Sequence, residues 1–411
     1  MRAFAATAAC LLVGCGFTVA GSEQPDALGA DGAADAPAPF ACVPWAALNV
    51  DPCATTLTDP VGITLAVGTH VLDTDTGNLT SNGGSPVAMP GGLVAQSAGP
   101  MVRAVNARSL SIVSGATLSI VGSRPVIIVV HGTVTIDGVI DASARLESPG
   151  PISVAGPGGN DAALCTTAAG QDGADTTLAS AGGGGGGAGG AFGANGGDGA
   201  DGHGSGHGTK GSKGTSTGVP TLLPLRGGCP GGSGGDDGVV AVDEGGRRGD
   251  GGGGLEITAR AGVTINGRLV ANGTSGAAGG GVAMVRAGGG GGGSGGAIVL
   301  DGDTVQVQAS AALCANGGAA GEGGQVGMVS SPGAAPTCTD NRALGGATEA
   351  DGGDGGDGGA TAGAAGTNGS AGASNAGGGG GGGGVGRIRI RGRSQAASIN
   401  GAAVVSPAPT S

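Results

Sequence analysis

The chain has 411 residues and a formal net charge of −12, and 102 of its residues are glycine, about one in four against a usual share of about 7%. This composition excludes an ordinary α/β enzyme domain, because each glycine inside a helix costs about 1 kcal/mol relative to alanine, and its 20 prolines are too few for collagen, which needs about 15–20%. Nucleic-acid binding is disfavoured by the acidic charge and by an aromatic content of four Phe, one Trp and no Tyr.

The N-terminal segment predicts export and a lipid anchor. Residues 1–14 have a weakly basic start and an apolar run that is too short to span a membrane. The sequence L-V-G-C at 12–15 matches the lipobox of bacterial lipoprotein signals, which implies that the mature chain begins at a lipidated Cys15. The residue after the lipobox cysteine is Gly16 and not the Asp that retains many lipoproteins in the inner membrane. The lipid is therefore expected to anchor the chain in the outer membrane. A plain secretory signal is the alternative, and residues 15–40 are expected to form a disordered tether.

The cysteine content agrees with export. Cys10 leaves with the signal and Cys15 takes the lipid, so that an even number remains, which favours disulfides in an exported chain. The candidates are Cys42, Cys53, Cys165, Cys229, Cys314 and Cys338. The sequence leaves the pairing open, and our hypothesis is that each cysteine pairs with its neighbour in that order. Zinc binding is the alternative, but the chain has no C-x-x-C motif and only 4 histidines.

Short runs of alternating apolar residues predict strands in an N-terminal β region at 41–160 and again at 251–411. One module recurs: a strand, a turn, a V-x-[IV] strand and an [IL]-x-A strand. Its copies begin at Pro125, Leu255, Ala297 and, more weakly, Arg387. Such repeats suit the stacked coils of a solenoid, with small residues such as Gly138 and Gly267 at the corners. The predicted fold is therefore all-β, a parallel β-helix, and the alternative is a β-sandwich with long glycine-rich loops.

The glycine is concentrated in insertions between these modules, and residues 161–250 form the longest one. Pure glycine runs occur at 182–187, 251–254, 288–293 and 377–384. Beside the runs, glycine often falls at every third position, as at Gly196, Gly199 and Gly202. A polyproline-II helix has the same three-residue period and a rise of about 3.1 Å per residue, so that one edge of it would be all glycine. We predict polyglycine-II-like bundles packed on the solenoid, and disordered loops are the alternative.

The same period aligns charged side chains. Asp351, Asp354 and Asp357 would share one edge at a spacing of about 9 Å. A solvated edge is the favoured interpretation, and calcium is the functional alternative because carboxylates are its natural ligands. The triplets lack the apolar position of the calcium-binding nonapeptide repeat. No other cofactor is expected.

Motifs for catalysis are sparse. The polygalacturonase-type set is N-T-D, D-D, G-H-G and R-I-K in that order, whereas this chain has His203 in G-H-G, then Asp236-Asp237, then R-I-R from Arg387, and no N-T-D. Glycosidase chemistry needs two carboxylates held close together, and the aromatic platforms that sugar rings use are nearly absent. A phosphate-binding loop and a nucleophile elbow are also missing. The sequence therefore predicts a protein that is not an enzyme.

The lipobox, the tether, the strand modules and the glycine runs that end in G-R-I-R-I together resemble glycine-rich surface lipoproteins of myxobacteria-like Gram-negative bacteria. The glycine insertions also look like the polyglycine-II bundles of phage tail-fibre adhesins and of an insect antifreeze protein, although the triplets here carry charge and form short blocks. These resemblances imply a non-enzymatic, lipid-anchored cell-envelope protein with a structural or adhesive role and an envelope or surface partner. The alternatives are a β-helix polysaccharide lyase or hydrolase and an ice- or water-facing protective protein.

Overall fold

The computed structural model describes residues 40–147, 152–177, 182–238, 244–280, 286–348 and 351–410, and within these ranges it contains strands and no helix. The predicted signal peptide, Cys15 and the tether up to residue 39 lie outside the described residues. The strands are β1 (Val61–Leu65), β2 (Gly68–Asp73), β3 (Asn78–Ser81), β4 (Val87–Ala88), β5 (Gly91–Val94), β6 (Val102–Ile112), β7 (Ala116–Val121), β8 (Val126–Val130), β9 (Val134–Ile136), β10 (Val139–Asp141), β11 (Arg145–Glu147), β12 (Ile152–Val154), β13 (Gly254–Ala259), β14 (Gly262–Ile265), β15 (Arg268–Val270), β16 (Ala297–Gly302), β17 (Thr304–Val307), β18 (Ala312–Cys314), β19 (Arg387–Gly392), β20 (Ser398–Ile399) and β21 (Val404–Ser406).

Two large sheets and one hairpin contain these strands. The first sheet has the order β19-β16-β13-β8-β6-β9-β14-β17-β20, with β1 and β5 also paired to β6. The second has the order β21-β18-β15-β10-β7-β2-β3-β4, and β11 pairs with β12. Apart from β2–β3, β3–β4, β5–β6 and β11–β12, the strands pair in parallel, and a parallel sheet curls into a half-barrel. This pairing differs from the antiparallel sheets of a β-sandwich.

The module predicted from the sequence recurs in register. Leu255 of β13 pairs with Val126 of β8 and with Ile298 of β16, which in turn pairs with Ile388 of β19. The second and third strands of the modules follow the same order, β9-β14-β17-β20 and β10-β15-β18-β21. β21 was not predicted, because its residues lack the [IL]-x-A pattern.

The main core lies on the inward side of both sheets. Ile140, Leu269 and Leu313 are fully buried and occupy equivalent positions on three paired strands, and burial of each such side chain contributes about 1.5–3 kcal/mol. The predicted corner glycines are tightly packed, because a Cβ on Gly267 would lie 1.9 Å from the carbonyl oxygen of Gly138.

The outer face of the first sheet is also covered. Residues 40–57, which we call the N-terminal strap, and the segment 219–226 pack against it. This second core comprises Val50, Val102, Ile127, Val129, Phe192, Leu222, Leu225, Ala297 and Val299. Every residue of β8, β13 and β16 is therefore buried, as is usual for parallel strands covered on both faces.

The six candidate cysteines form three disulfides, which are the pairs of the sequence hypothesis. Cys42–Cys53 closes a loop in the strap, Cys165–Cys229 joins two glycine-rich segments, and Cys314–Cys338 fixes a loop to β18. Each disulfide fixes an irregular segment to its neighbour or to the sheet. These segments have few large apolar side chains that could hold them in place.

Candidate functional site

The glycine-rich segments between the strand modules pack side by side and form the glycine bundle. It consists of residues 168–177, 182–216, 227–238, 244–253, 271–280, 286–296, 315–324 and 351–386. Its segments enter the first sheet directly, because the runs that end at residues 253, 296 and 386 lead into β13, β16 and β19. The sheet and the bundle are thus continuous along the chain.

Successive backbone N–H groups in the run 183–191 donate to three different neighbouring segments in turn, so that every third residue donates to the same segment. Gly183, Gly186 and Gly189 donate to His203, Ala200 and Gly197. Gly184, Gly187 and Gly190 donate to Arg286, Gly289 and Gly292, whereas Gly185, Ala188 and Ala191 donate to Ala174, Gln171 and Ala168. The N···O distances are 2.7–2.9 Å, which is ordinary hydrogen-bond geometry. Each residue of this run therefore has its own backbone partner in another segment.

Three glycine-rich runs form the centre of the bundle. The run 183–191 donates to 286–292, the run 288–296 donates to 378–384, and the run 377–386 donates back to 184–190. In all three contacts the acceptor number rises with the donor number, so the runs are parallel. This closed trio satisfies buried backbone groups without side chains, which is the condition for burying any backbone.

Steric contacts explain why these central runs are glycine. A Cβ on Gly290 would lie 2.1 Å from the carbonyl oxygen of Arg247, one on Gly291 2.0 Å from that of Ala188, and one on Gly292 2.0 Å from that of Gly318. Three consecutive residues thus face three different neighbours, and none of them has room for a side chain. Segments at the edge of the bundle have fewer neighbours. In 352–359 the two glycines of each triplet face neighbouring segments, whereas Asp354 is exposed and Asp357 is half-buried.

The polar side chains on one edge of the bundle accept hydrogen bonds from backbone donors. Asn195, Asp198 and Asp201 accept from the N–H groups of Ser216, Lys213 and Lys210 at 2.8–2.9 Å. The Nζ of Lys213 also lies 3.7 Å from Asp198 Oδ2. This row of side chains therefore satisfies backbone donors on the outermost segments of the bundle.

The three aspartates that were considered as calcium ligands have separate surroundings. Asp357 Oδ1 accepts the N–H of Gly345 at 3.0 Å, and Asp351 Oδ2 accepts the amide of Gln325 at 3.1 Å. Burial and the charge of Glu322 raise the pKa of Asp354. The structure does not gather Asp351, Asp354 and Asp357 into a three-carboxylate group, so calcium binding there stays a prediction.

A different group of three carboxylates does converge among the described residues. Ligand oxygens of Asp236, Asp237 and Glu244 lie within 4.8 Å of one another. Burial raises the pKa of Asp236 and of Glu244, and the neighbouring carboxylates add to the effect. Such oxygens are of the kind that binds Ca²⁺. No sequence pattern pointed to Glu244, and Asp236-Asp237 was considered only as part of a polygalacturonase-type motif.

The other parts of that motif have separate surroundings. His203 Nδ1 accepts the N–H of Asn375 at 3.2 Å on the bundle edge. Arg387 lies in β19, where burial lowers its pKa. Each of the three short motifs thus contributes to a different local set of contacts.

Two carboxylates that the sequence analysis missed are completely buried under the strap. Glu256 of β13 and Asp301 of β16 have no exposed surface. Asn49 Nδ2 of the strap donates to Glu256 Oε2 at 2.7 Å, while Glu256 Oε1 has no partner. Asp301 accepts from Arg391 Nε at 2.9 Å and from Thr258 Oγ1 at 3.0 Å.

The environment of Glu256 favours its neutral form. Burial raises the pKa of Glu256 to about 7, and the charge of Asp301 contributes to the increase, whereas Asn49 and Arg391 oppose it. The strap also binds this face through Trp45 Nε1, which donates to Thr258 Oγ1 at 3.2 Å, and through the carbonyl of Ala46, which accepts from Arg391. Glu256 therefore holds the strap directly through Asn49, and Asp301 positions Thr258 and Arg391, which bind it.

Comparisons with protein-family models, with curated proteins and with solved structures give no match. Across the described residues, no helix has the length and apolar character needed to cross a membrane.

Proposed function

We propose that this chain is a non-enzymatic lipoprotein of the bacterial outer membrane with a structural or adhesive role. In this proposal the parallel strand modules are the coils of a β-helix, and the glycine bundle is a bundle of polyglycine-II helices that extends from it. The bundle would provide a rigid surface made largely of backbone and carrying few charged side chains.

One observation carries this proposal: the closed trio of parallel glycine-rich runs. Its backbone donors are paired in three directions, and its glycines have no room for side chains. A three-residue rotation of partners is what a helix with three residues per turn would produce. A protease needs an extended and accessible backbone, and exposed loops normally provide it, so this arrangement supports durability outside the cell. The three disulfides support an oxidising compartment.

The lipid anchor is tested by metabolic labelling with palmitate. The wild-type chain and the variant Cys10→Ala should incorporate the label, because Cys10 lies within the signal, whereas Cys15→Ala should not. Label that survives in Cys15→Ala would contradict the anchor. Protease treatment of intact cells then separates display on the surface, which predicts cleavage of the tether, from a periplasmic location, which predicts protection.

A polysaccharide lyase or hydrolase is the second candidate, and one observation favours it. Glu256 and Asp301 lie on neighbouring strands of one sheet face, and paired carboxyls are the usual requirement for glycoside cleavage. Both are covered by the strap, so activity would require the strap to move. Release of reducing sugar by the double variant Cys42→Ser/Cys53→Ser, lost on further change of Glu256→Gln, would establish this function. No release from acidic or neutral polysaccharides would reject it.

A further inference from the structure

We propose that a groove on the outer face of the second sheet binds a short acidic saccharide, and that Arg268 and Arg145 recognise its negative charge. This site adjoins the glycine bundle, because Asn272, Thr274 and Ser275 of the segment 271–280 line it, and it does not depend on the lipid anchor. It therefore adds a ligand class to a protein whose proposed role is structural or adhesive.

The groove has a rigid floor and two walls. Val139 and Asp141 of β10 and Arg268 and Val270 of β15 form the floor, where the two strands pair in register. One wall is the β11–β12 hairpin, and the other is the loop 333–338, which the Cys314–Cys338 disulfide fixes to β18. The cavity has a volume of about 570 Å³, within the range of about 300–1,000 Å³ that is typical of ligand sites.

Two arginines line this groove although the whole chain has a net charge of −12. Arg268 is exposed, and its guanidinium group forms no hydrogen bond or ion pair with any other described residue. Arg145 is half-buried: its Nη2 lies 3.2 Å from Glu147 Oε1, and its Nη1 is buried without a hydrogen-bond partner among the described residues. A guanidinium group matches a carboxylate through paired N–H donors, so Arg268 is available for an anionic ligand, and Arg145 adds positive charge to the same groove.

The remaining lining favours a saccharide over another anion. Hydroxyl and amide side chains also line the groove, and each forms at least one hydrogen bond within the protein and has further donor or acceptor capacity: Ser143, Asn272, Thr274, Ser275 and Thr337. Asp141 accepts the N–H of Ser143 through Oδ1, and a carboxylate can also accept from a ligand hydroxyl. Leu146, which is 63% exposed, and Pro336 provide apolar surface for the C–H groups of a sugar ring. The described residues that line the groove include no aromatic ring, so recognition depends on charge and hydrogen bonds.

Calorimetric titration of the full chain with trigalacturonate tests the proposal, with maltotriose as the neutral ligand of equal length. We expect trigalacturonate to bind at least about tenfold more tightly than maltotriose, because hydrogen bonds to charged groups are the strong ones. Arg268→Gln should weaken binding at least about tenfold. Lys210→Gln, which removes the same charge at an exposed position on the bundle edge, should leave binding unchanged.

A second variant tests the location. Ala335 is exposed on the loop wall, and Ala335→Trp should fill the groove and abolish binding without disturbing a buried residue. The proposal is overturned if trigalacturonate does not bind, if maltotriose or triglutamate binds equally well, or if Arg268→Gln and Lys210→Gln have equal effects. Retained thermal unfolding of each variant shows that any loss of binding is not a loss of fold.

Discussion

Replacement of Glu256 by Gln should remove a large part of the pH dependence of stability between about pH 4.5 and pH 7. The folded chain holds the proton of Glu256 up to a pKa of about 7, whereas the ordinary value for Glu is 4.5. Between these values the folded state binds more protons than the unfolded state, so the free energy of unfolding falls as pH rises. This contribution is complete below pH 4.5 and lost above pH 7. Each pH unit between the two pKa values contributes about 1.4 kcal/mol, so the free energy of unfolding should fall by about 3 kcal/mol over this interval.

Urea unfolding of the wild type and Glu256→Gln at pH 4.5 and pH 8 measures this contribution. Trp45 is the single tryptophan of the chain and lies in the strap, so its fluorescence reports the segment that covers Glu256. We expect the wild type to lose about 3 kcal/mol more than Glu256→Gln over this range. Glu147→Gln, at an exposed position, serves as a control and should behave like the wild type. An equal loss in the wild type and Glu256→Gln would refute the assignment of this proton to the buried carboxyl.

Three further perturbations address the bundle. Gly186→Ala would place a Cβ 2.0 Å from the carbonyl oxygen of Gly379 and should lower the free energy of unfolding in urea by at least about 2 kcal/mol. The control Gly401→Ala meets nothing within 4 Å and should change this free energy little. Equal effects of the two substitutions would contradict the packing of the bundle. Replacement of Cys165 and Cys229 by Ser opens a loop with a sequence separation of 64 and should cost about 4 kcal/mol, and an unchanged melting temperature would show that the loop is held by other contacts. If the acidic row binds calcium, EDTA should lower the melting temperature of the wild type but not of Asp354→Asn, and no change in the wild type rejects calcium at Asp351, Asp354 and Asp357.

Local patterns predicted much of the scaffold. The V-x-[IV] and [IL]-x-A strands could be read because strand side chains alternate between a buried and an exposed face. The disulfide pairs were predicted correctly because each joins cysteines that are adjacent in the cysteine order. The three-residue glycine period was a correct sign of the three-residue rotation of backbone partners, because residues three apart on such a segment face the same neighbour.

Contacts between distant parts of the chain were not predictable from such patterns. Glu256 lies between Leu255 and Ile257, and this alternating pattern does not predict its burial. The strap, which lies about 200 residues earlier in the chain, covers it. The sequence also did not distinguish central glycine runs from edge segments. That distinction depends on how many neighbours surround a segment, and the structure shows that pure runs lie where three different neighbours exclude a side chain.

Hydrogen exchange of glycine amides tests the central claim most directly. Nuclear magnetic resonance of the full chain, prepared with isotope-labelled glycine, would follow the amides of the runs 183–191, 288–296 and 377–386. Because each of these donors is paired with another segment, we expect their exchange to be slowed to the level of the core strands, while the exposed Gly401 exchanges rapidly. Exchange of the run amides at the rate of an unstructured chain would contradict an ordered glycine bundle.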